Sequence, residues 1–360
     1  MKQPVIWRML ILLLAATIVL SACSGNASQS IASVEGMVWV ADEEGNSITV
    51  IDAATNQVLT TLTGIEGAHN LQAAPDGKTV WVVSGHDSLA VMIDVATYKV
   101  HGVVPTGMEP AHIILSPNGK TAYATNGADN TVTVIDVETM TTTATIPVGE
   151  YPHGQRPSPD GRWVYVANAK STTLSVIDTQ SNTKVADIEV GERPVQVGFS
   201  PNEKFVYFLL IAENALGKVD VATRSLVGKV SAGGGRIQVF VTPDNKYVLV
   251  ANQGTQDSPS TTVSIVDVAA FTVVATIETG KGAHGVVIDP SSRFAYITNI
   301  YENSVSVIDL EQKVVIATIP SGSAPNGISF STLPAVPAPS SEIQLEISEG
   351  GQMDMPSMTP

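Results

Sequence analysis

Through most of the chain, apolar residues recur at every second position, and turn residues interrupt them at regular intervals. Thr131-Val132-Thr133-Val134-Ile135 alternates strictly. Trp163-Val164-Tyr165-Val166-Ala167-Asn168 is aromatic and β-branched, and Val314-Val315-Ile316-Ala317-Thr318-Ile319 is almost wholly β-branched. Period-two alternation between turn signals predicts antiparallel β-sheet.

The turns are periodic. An Asp closes each Val-Ile-Asp-like segment at Asp52, Asp94, Asp136, Asp178, Asp220, Asp267 and Asp309, in steps of 42 residues except one of 47. The proline of each Ser-Pro-Asp-Gly-like turn, at Pro75, Pro117, Pro159, Pro201, Pro243 and Pro290, keeps the same steps and the same single insertion. Ser, Pro, then Asp or Asn, then often Gly are the preferences of a type I turn. Each repeat reads as four strands: A running into the Pro turn, then B, the alternating C, and D. Four strands in about 40 residues, repeated, is the propeller pattern.

The ends set the blade count. The first repeat, Met37 to Leu62, has B, C and D without A, and Asn326-Gly327-Ile328-Ser329-Phe330 is an A strand with nothing after it. Six whole blades and this composite make seven, an all-β ring closed by its own chain ends, which leaves few open edges. The Asp of strand C sits where an Asx-type turn bond explains it better than a calcium site. Gly107, Gly149, Gly191, Gly233, Gly280 and Gly322 mark chain bends.

Tyr123-Ala124-Thr125-Asn126, Tyr165-Val166-Ala167-Asn168 and Tyr296-Ile297-Thr298-Asn299 resemble the YVTN-repeat β-propellers across residues 36–331. That resemblance implies the seven-bladed fold and leaves function open, since one fold hosts many functions. In blade 5, Leu210 stands in place of the Asn and Lys218-Val219-Asp220 replaces Val-Ile-Asp, so a locally irregular blade is expected there.

Charge and the N-terminus add a location. The formal charge is -15, which repels nucleic-acid phosphates and argues against that partner. Lys2 and Arg8 precede a 12-residue apolar run, Met9 to Leu20, too short to span a bilayer. Leu20-Ser21-Ala22-Cys23 follows, resembles a bacterial lipobox, and holds the chain's one cysteine. The expected layout is a signal peptide over 1–22, lipidation at Cys23, a flexible tether over 23–35, the propeller over 36–331, and a Pro-rich linker with a Met-containing flexible tail over 332–360. The expected location is the cell envelope, with the membrane as partner through the lipid.

The chemistry gathers at one end of the ring. The D-to-A connections and B-to-C loops share a face; the Pro turns lie on the other, which reads as structural. His69, His112, His153 and His284 stand near the start of their A strands, joined by Gln196, Gln238 and Asn326 in the other blades, so these seven are expected to ring the channel mouth. His86 is on a B-to-C loop of the same face, and His101 lies in a D strand. His112 is one residue out of phase with the other three, a slip that turns a strand side chain to the opposite face. An imidazole at such a strand start can also simply bond a neighbouring carbonyl.

No cofactor is required by these residues. The group they could hold is a transition metal, Cu or Zn, at His69, His153 and His284, or at the thioethers of Met353, Met355 and Met358. No catalytic set is present. The favoured function is a non-enzymatic envelope scaffold whose histidine face binds an envelope protein, a glycan or a small molecule. The alternatives are a lactonase-like hydrolase drawing on His69, His153, His284, Arg193 and Glu192, and a copper-binding redox accessory, although a c-type haem has no Cys-x-x-Cys-His to attach to.

Overall fold

Why both halves of the alternating pattern are buried follows from how the sheets stack. In a one-sided sheet the polar half faces water. Here Val132, Val134 and Ile135 are buried, and so is Thr133 between them. The computed structural model describes residues 34–347 and resolves them into seven antiparallel sheets, with no helix among the described residues. Each sheet has neighbours on both faces, so its A, B and C strands are covered on both sides. D strands form the outer rim, and Thr141–Pro147 reads mostly exposed.

The A strands are Pro325–Ser331, Ala68–Ala73, Pro110–Leu115, Pro152–Pro157, Pro194–Phe199, Arg236–Val241 and Ala283–Ile288. Each touches the A strand of the next blade, and Pro325–Ser331 touches both Ala68–Ala73 and Ala283–Ile288, which closes the ring. Pro325–Ser331 pairs with Met37–Asp42, as the chain ends predict. The composite sheet gains a fifth strand, Glu342–Gln344, parallel to Gln57–Thr63. The Pro-rich stretch leading to it runs against the propeller: Leu333, Ala335 and Val336 pack on the apolar cluster between blades 1 and 2. The Tyr98 hydroxyl donates to the Val336 carbonyl.

The repeated Asn is a fastener. Asn126 Nδ2 donates to Thr131 and Thr133 Oγ1, both at 2.9 Å, and its Oδ1 accepts the Gly107 amide at 3.0 Å. Asn168, Asn252 and Asn299 bond two strand-C hydroxyls in the same way. This packing explains the recurrent glycine more fully than a chain bend does. A Cβ on Gly149 would stand 2.3 Å from Asn168 Nδ2, so only glycine lets the D-to-A connection lie on the Asn. Asp42 fills the same place at the ring seam, accepting from Ser47 at 3.2 Å and Thr49 at 2.7 Å. Its burial pushes the carboxyl up to about 7.

Blade 5 is not irregular, contrary to expectation. Its B and C strands pair without a break from Phe205↔Asp220 to Leu210↔Ala215. The reason is coordinated replacement: where four other blades set an Asn against two hydroxyls, this one sets buried Leu210 against Ala215 and Gly217. The strand-C Asp forms the expected turn; Asp136 accepts the Thr139 amide at 2.8 Å. In the Pro turns, Gly119 N–H donates to Ser116 O at 2.8 Å, the bond of a type I turn.

Candidate functional site

Each A strand contains a bulge in its pairing with strand B. In blade 3, Pro110 pairs with Asn126 and Ile113 with Ala124, so Ala111 and His112 together face Thr125. The same two-against-one step recurs in all seven blades. A bulge inserts one residue into one strand and re-aims its neighbours. That extra residue cancels the one-residue slip of His112, which therefore is not turned away. His69 and His153 occupy the first bulge position and His112 the second, yet one ligand nitrogen from each lies within 4.8 Å of the others. The rings meet edge to face, with centroids 4.8 Å apart for His112 and His153, 5.5 Å for His69 and His153, and 5.9 Å for His69 and His112.

Two of the three imidazoles are held by the next blade. His69 Nδ1 lies 2.9 Å from the Ala111 carbonyl, and His153 Nδ1 lies 3.1 Å from the Val195 carbonyl. A carbonyl accepts only, so Nδ1 carries the proton and Nε2 keeps its lone pair. This is the neighbouring-carbonyl bond expected of such a histidine. It is also how metal-binding histidines are oriented. His112 Nδ1 is buried without a hydrogen-bond partner among the described residues. Burial, then the charges of His153, His69, Arg156 and His284, holds His112 well below the usual imidazole range. Burial and His69 push His153 down to about 3. His284 is buried beside the group and is likewise pushed down to about 3, by burial and then by His69 and His153. A buried histidine kept neutral has its nitrogen lone pair available near neutral pH.

The other expected channel residues divide. Asn326 donates to the Glu43 carboxylate at 2.7 Å. Gln196 and Gln238 turn back on their own strands, their Oε1 atoms accepting the Val197 amide at 2.9 Å and the Val239 amide at 3.2 Å. Gly154 is a consequence of that arrangement, since a Cβ there would stand 2.1 Å from Gln196 Oε1. Glu192 and Arg193 lie exposed on the D-to-A connection of blade 5. His101 is exposed on its D strand. His86 lines a separate polar cavity of 890 Å³ on the histidine face, with Glu43, Glu44, Lys281 and Tyr301. Cys23, Met353, Met355 and Met358 lie outside the described residues.

Sequence reading missed two residues. Gln155, fully buried, donates through Nε2 to the carbonyls of His112 at 3.1 Å and Tyr123 at 2.7 Å, which fixes the backbone under the histidines. Arg156 projects into the channel toward the Pro-turn end, where a cavity of 520 Å³ opens. That face therefore carries more than structural turns. The visible signal was Arg156 itself, a charge at an A-strand position where the other blades carry Gln72, Ile114, Gly198, Phe240, Val287 and Ser329.

Comparison with known proteins agrees with this architecture. Hydrazine synthase of Kuenenia stuttgartiensis is 23% identical with a TM-score of 0.69, over 75% of this chain and 91% of that one. A functionally unknown protein from Desulfotomaculum acetoxidans is 16% identical with a TM-score of 0.72, over 83% of this chain and 99% of that one. The dihydro-heme d1 dehydrogenase NirN is 14% identical with a TM-score of 0.61, over 79% of this chain and 63% of that one. At these identities the likeness is one of fold alone. None of the curated proteins compared matches the chain. A family described as YNCE-like beta-propeller matches residues 115–225 and 206–334. Together with the seven four-stranded blades, this match means that the chain belongs to the YNCE-like beta-propeller family.

Proposed function

We propose that the protein is a non-enzymatic binding module of the cell envelope that holds a Zn²⁺ or Cu²⁺ ion between His69, His112 and His153. The observation that carries this reading is the convergence of three imidazoles from three consecutive blades, two of them oriented through Nδ1 by a backbone carbonyl. Imidazole nitrogen suits Zn and Cu. Their nitrogens lie within 4.8 Å of one another, whereas a tetrahedral zinc site needs about 3.4 Å, so modest ring rotation completes the set. Three protein ligands leave a fourth position for an exchangeable ligand, which is where a small molecule, glycan or protein side chain would attach.

The envelope location rests on the Leu20-Ser21-Ala22-Cys23 pattern, with lipid on Cys23 as the membrane anchor. Incorporation of labelled palmitate, abolished by Cys23→Ser, tests it. The metal reading is tested on metal-stripped protein by calorimetric titration with Zn²⁺. One ion per chain is expected. His69→Ala and His153→Ala should each weaken binding by at least the roughly 10- to 100-fold that outer-shell partners alone are worth. Absence of stoichiometric binding to the wild type would end the reading.

A further inference from the structure

The Pro-turn end of the channel holds a second cavity, which no histidine lines. Arg156 is the fifth residue of strand Pro152–Pro157, three residues beyond His153, or about 10 Å further along the channel at strand rise. It lines the 520 Å³ cavity on that face. The rest of the wall is largely apolar, including Leu71, Leu115, Phe240, Ile288, Ile328 and Phe330, and no carboxylate lines it.

The arginine has no ion-pair partner among the described residues. Its one hydrogen bond runs from Nη1 to the Gln155 carbonyl at 3.1 Å. A guanidinium has five N–H donors in a planar fork, so most of its donors remain unused. Burial lowers it only to about 10, and it keeps its charge at neutral pH. A half-buried cation without a counter-ion, in a chain of formal charge -15, is costly to retain. Nothing in the blade repeat calls for it, because the two neighbouring A strands put Ile114 and Gly198 at the same register without disturbing the ring.

We propose that this vestibule binds an amphipathic monocarboxylate, its head paired side-on with Arg156 and its hydrocarbon body against the apolar wall. Arginine and carboxylate match as two parallel N–H···O bonds. The volume falls within the range of small-ligand pockets, roughly 300 to 1,000 Å³, and a mostly apolar lining with one fixed polar group is their usual make-up.

Decanoate serves as the probe, with decanol as its uncharged counterpart and acetate as its head group alone. Calorimetry on the mature protein should show one saturable decanoate site, binding decanol and acetate at least roughly tenfold more weakly. Arg156→Gln should lose roughly tenfold or more of the decanoate affinity and leave decanol unchanged. Decanoate should bind the metal-stripped protein saturably, with no Zn²⁺ needed, which separates this site from the histidine site. If Arg156→Gln does not fold, the wild type decides. Decanoate, but not decanol, should shield Arg156 from phenylglyoxal, read by peptide mass spectrometry. No saturable binding, equal binding of decanol, or no shielding of Arg156 overturns the proposal.

Discussion

The Nδ1 atom of His69 sits 2.9 Å from the carbonyl oxygen of Ala111, one repeat length further along the chain, and His153 holds the same relation to Val195 at 3.1 Å. The repeat thus selects the tautomer of both rings. In the neutral ring form both should be the Nδ1–H tautomer, with the lone pair on Nε2. Imidazole ¹⁵N spectra read this directly, and Zn²⁺ should then shift Nε2 while Nδ1 stays protonated. An Nε2–H tautomer in the metal-free protein would contradict the site as described.

Asp42 sets the behaviour of the ring seam with pH. Its carboxyl is raised to about 7 in the folded chain against 3.8 for the free group, so the folded state binds the proton more tightly. Its stabilising contribution is full below about pH 4 and is lost as pH rises through 7. Asp42→Asn supplies the amide that Asn126 uses in the same place. The variant should gain on the order of 2 to 4 kcal/mol at pH 8, with the gain shrinking toward pH 5. Equal stability at pH 8 would refute it.

The buried histidines act in the opposite sense. Folded values of about 3 for His153 and His284, below the usual 6.5, mean that the unfolded chain binds more protons between those limits. Stability should fall as pH drops from 6.5 toward 3. The Asp42→Asn background shows this without the seam carboxyl opposing it. His284→Gln in that background should flatten the slope of melting temperature against pH.

Restoring the repeat pattern in blade 5 should do harm. Leu210→Asn puts an amide into an apolar pocket opposite Ala215 and Gly217, where no hydroxyl meets it. The expected loss is about 3 kcal/mol or more by urea denaturation. Adding Ala215→Thr supplies one partner and should recover part of it. A neutral single variant would show that the Asn network is not what decides this position.

Two truncations separate ring closure from the strap that follows it. A chain ending at residue 321 lacks strand Pro325–Ser331, leaves the edge of Met37–Asp42 bare, and should lose its cooperative thermal transition. A chain ending at residue 332 keeps the ring and loses Leu333, Ala335 and Val336 from the cluster between blades 1 and 2, together with the pairing of Glu342–Gln344, so it should melt lower but still cooperatively. Identical melting of both chains and the wild type would remove the closure argument.

The seven-bladed ring was legible in the chain because two sets of markers, the strand-C Asp residues and the Pro turns, share one period. The pairing of Pro325–Ser331 with Met37–Asp42 was legible because an A strand was missing at one end and left over at the other. Convergence of His69, His112 and His153 was not legible. A one-residue slip argues for opposite faces unless a bulge intervenes, and nothing in Pro110-Ala111-His112-Ile113 announces one. The regularity of blade 5 was hidden because Leu210 reads as a lost Asn until it is set beside Ala215 and Gly217. Arg156 was visible as a residue but not as a group without a counter-ion, which only the packed channel reveals.

The bulge near the start of every A strand gives each blade two adjacent channel-side addresses where an unbroken strand would give one. These addresses are decoupled from the Asn fastener and the Pro turn that hold the blade. Substitution at either can rewrite the channel's donor set without changing strand register, provided that the next blade leaves room, as Gly154 does for Gln196. The ring is in that sense a coding surface. Its alphabet is written at two sites per repeat, and a library confined to those sites would explore new ligand specificities at little cost to folding.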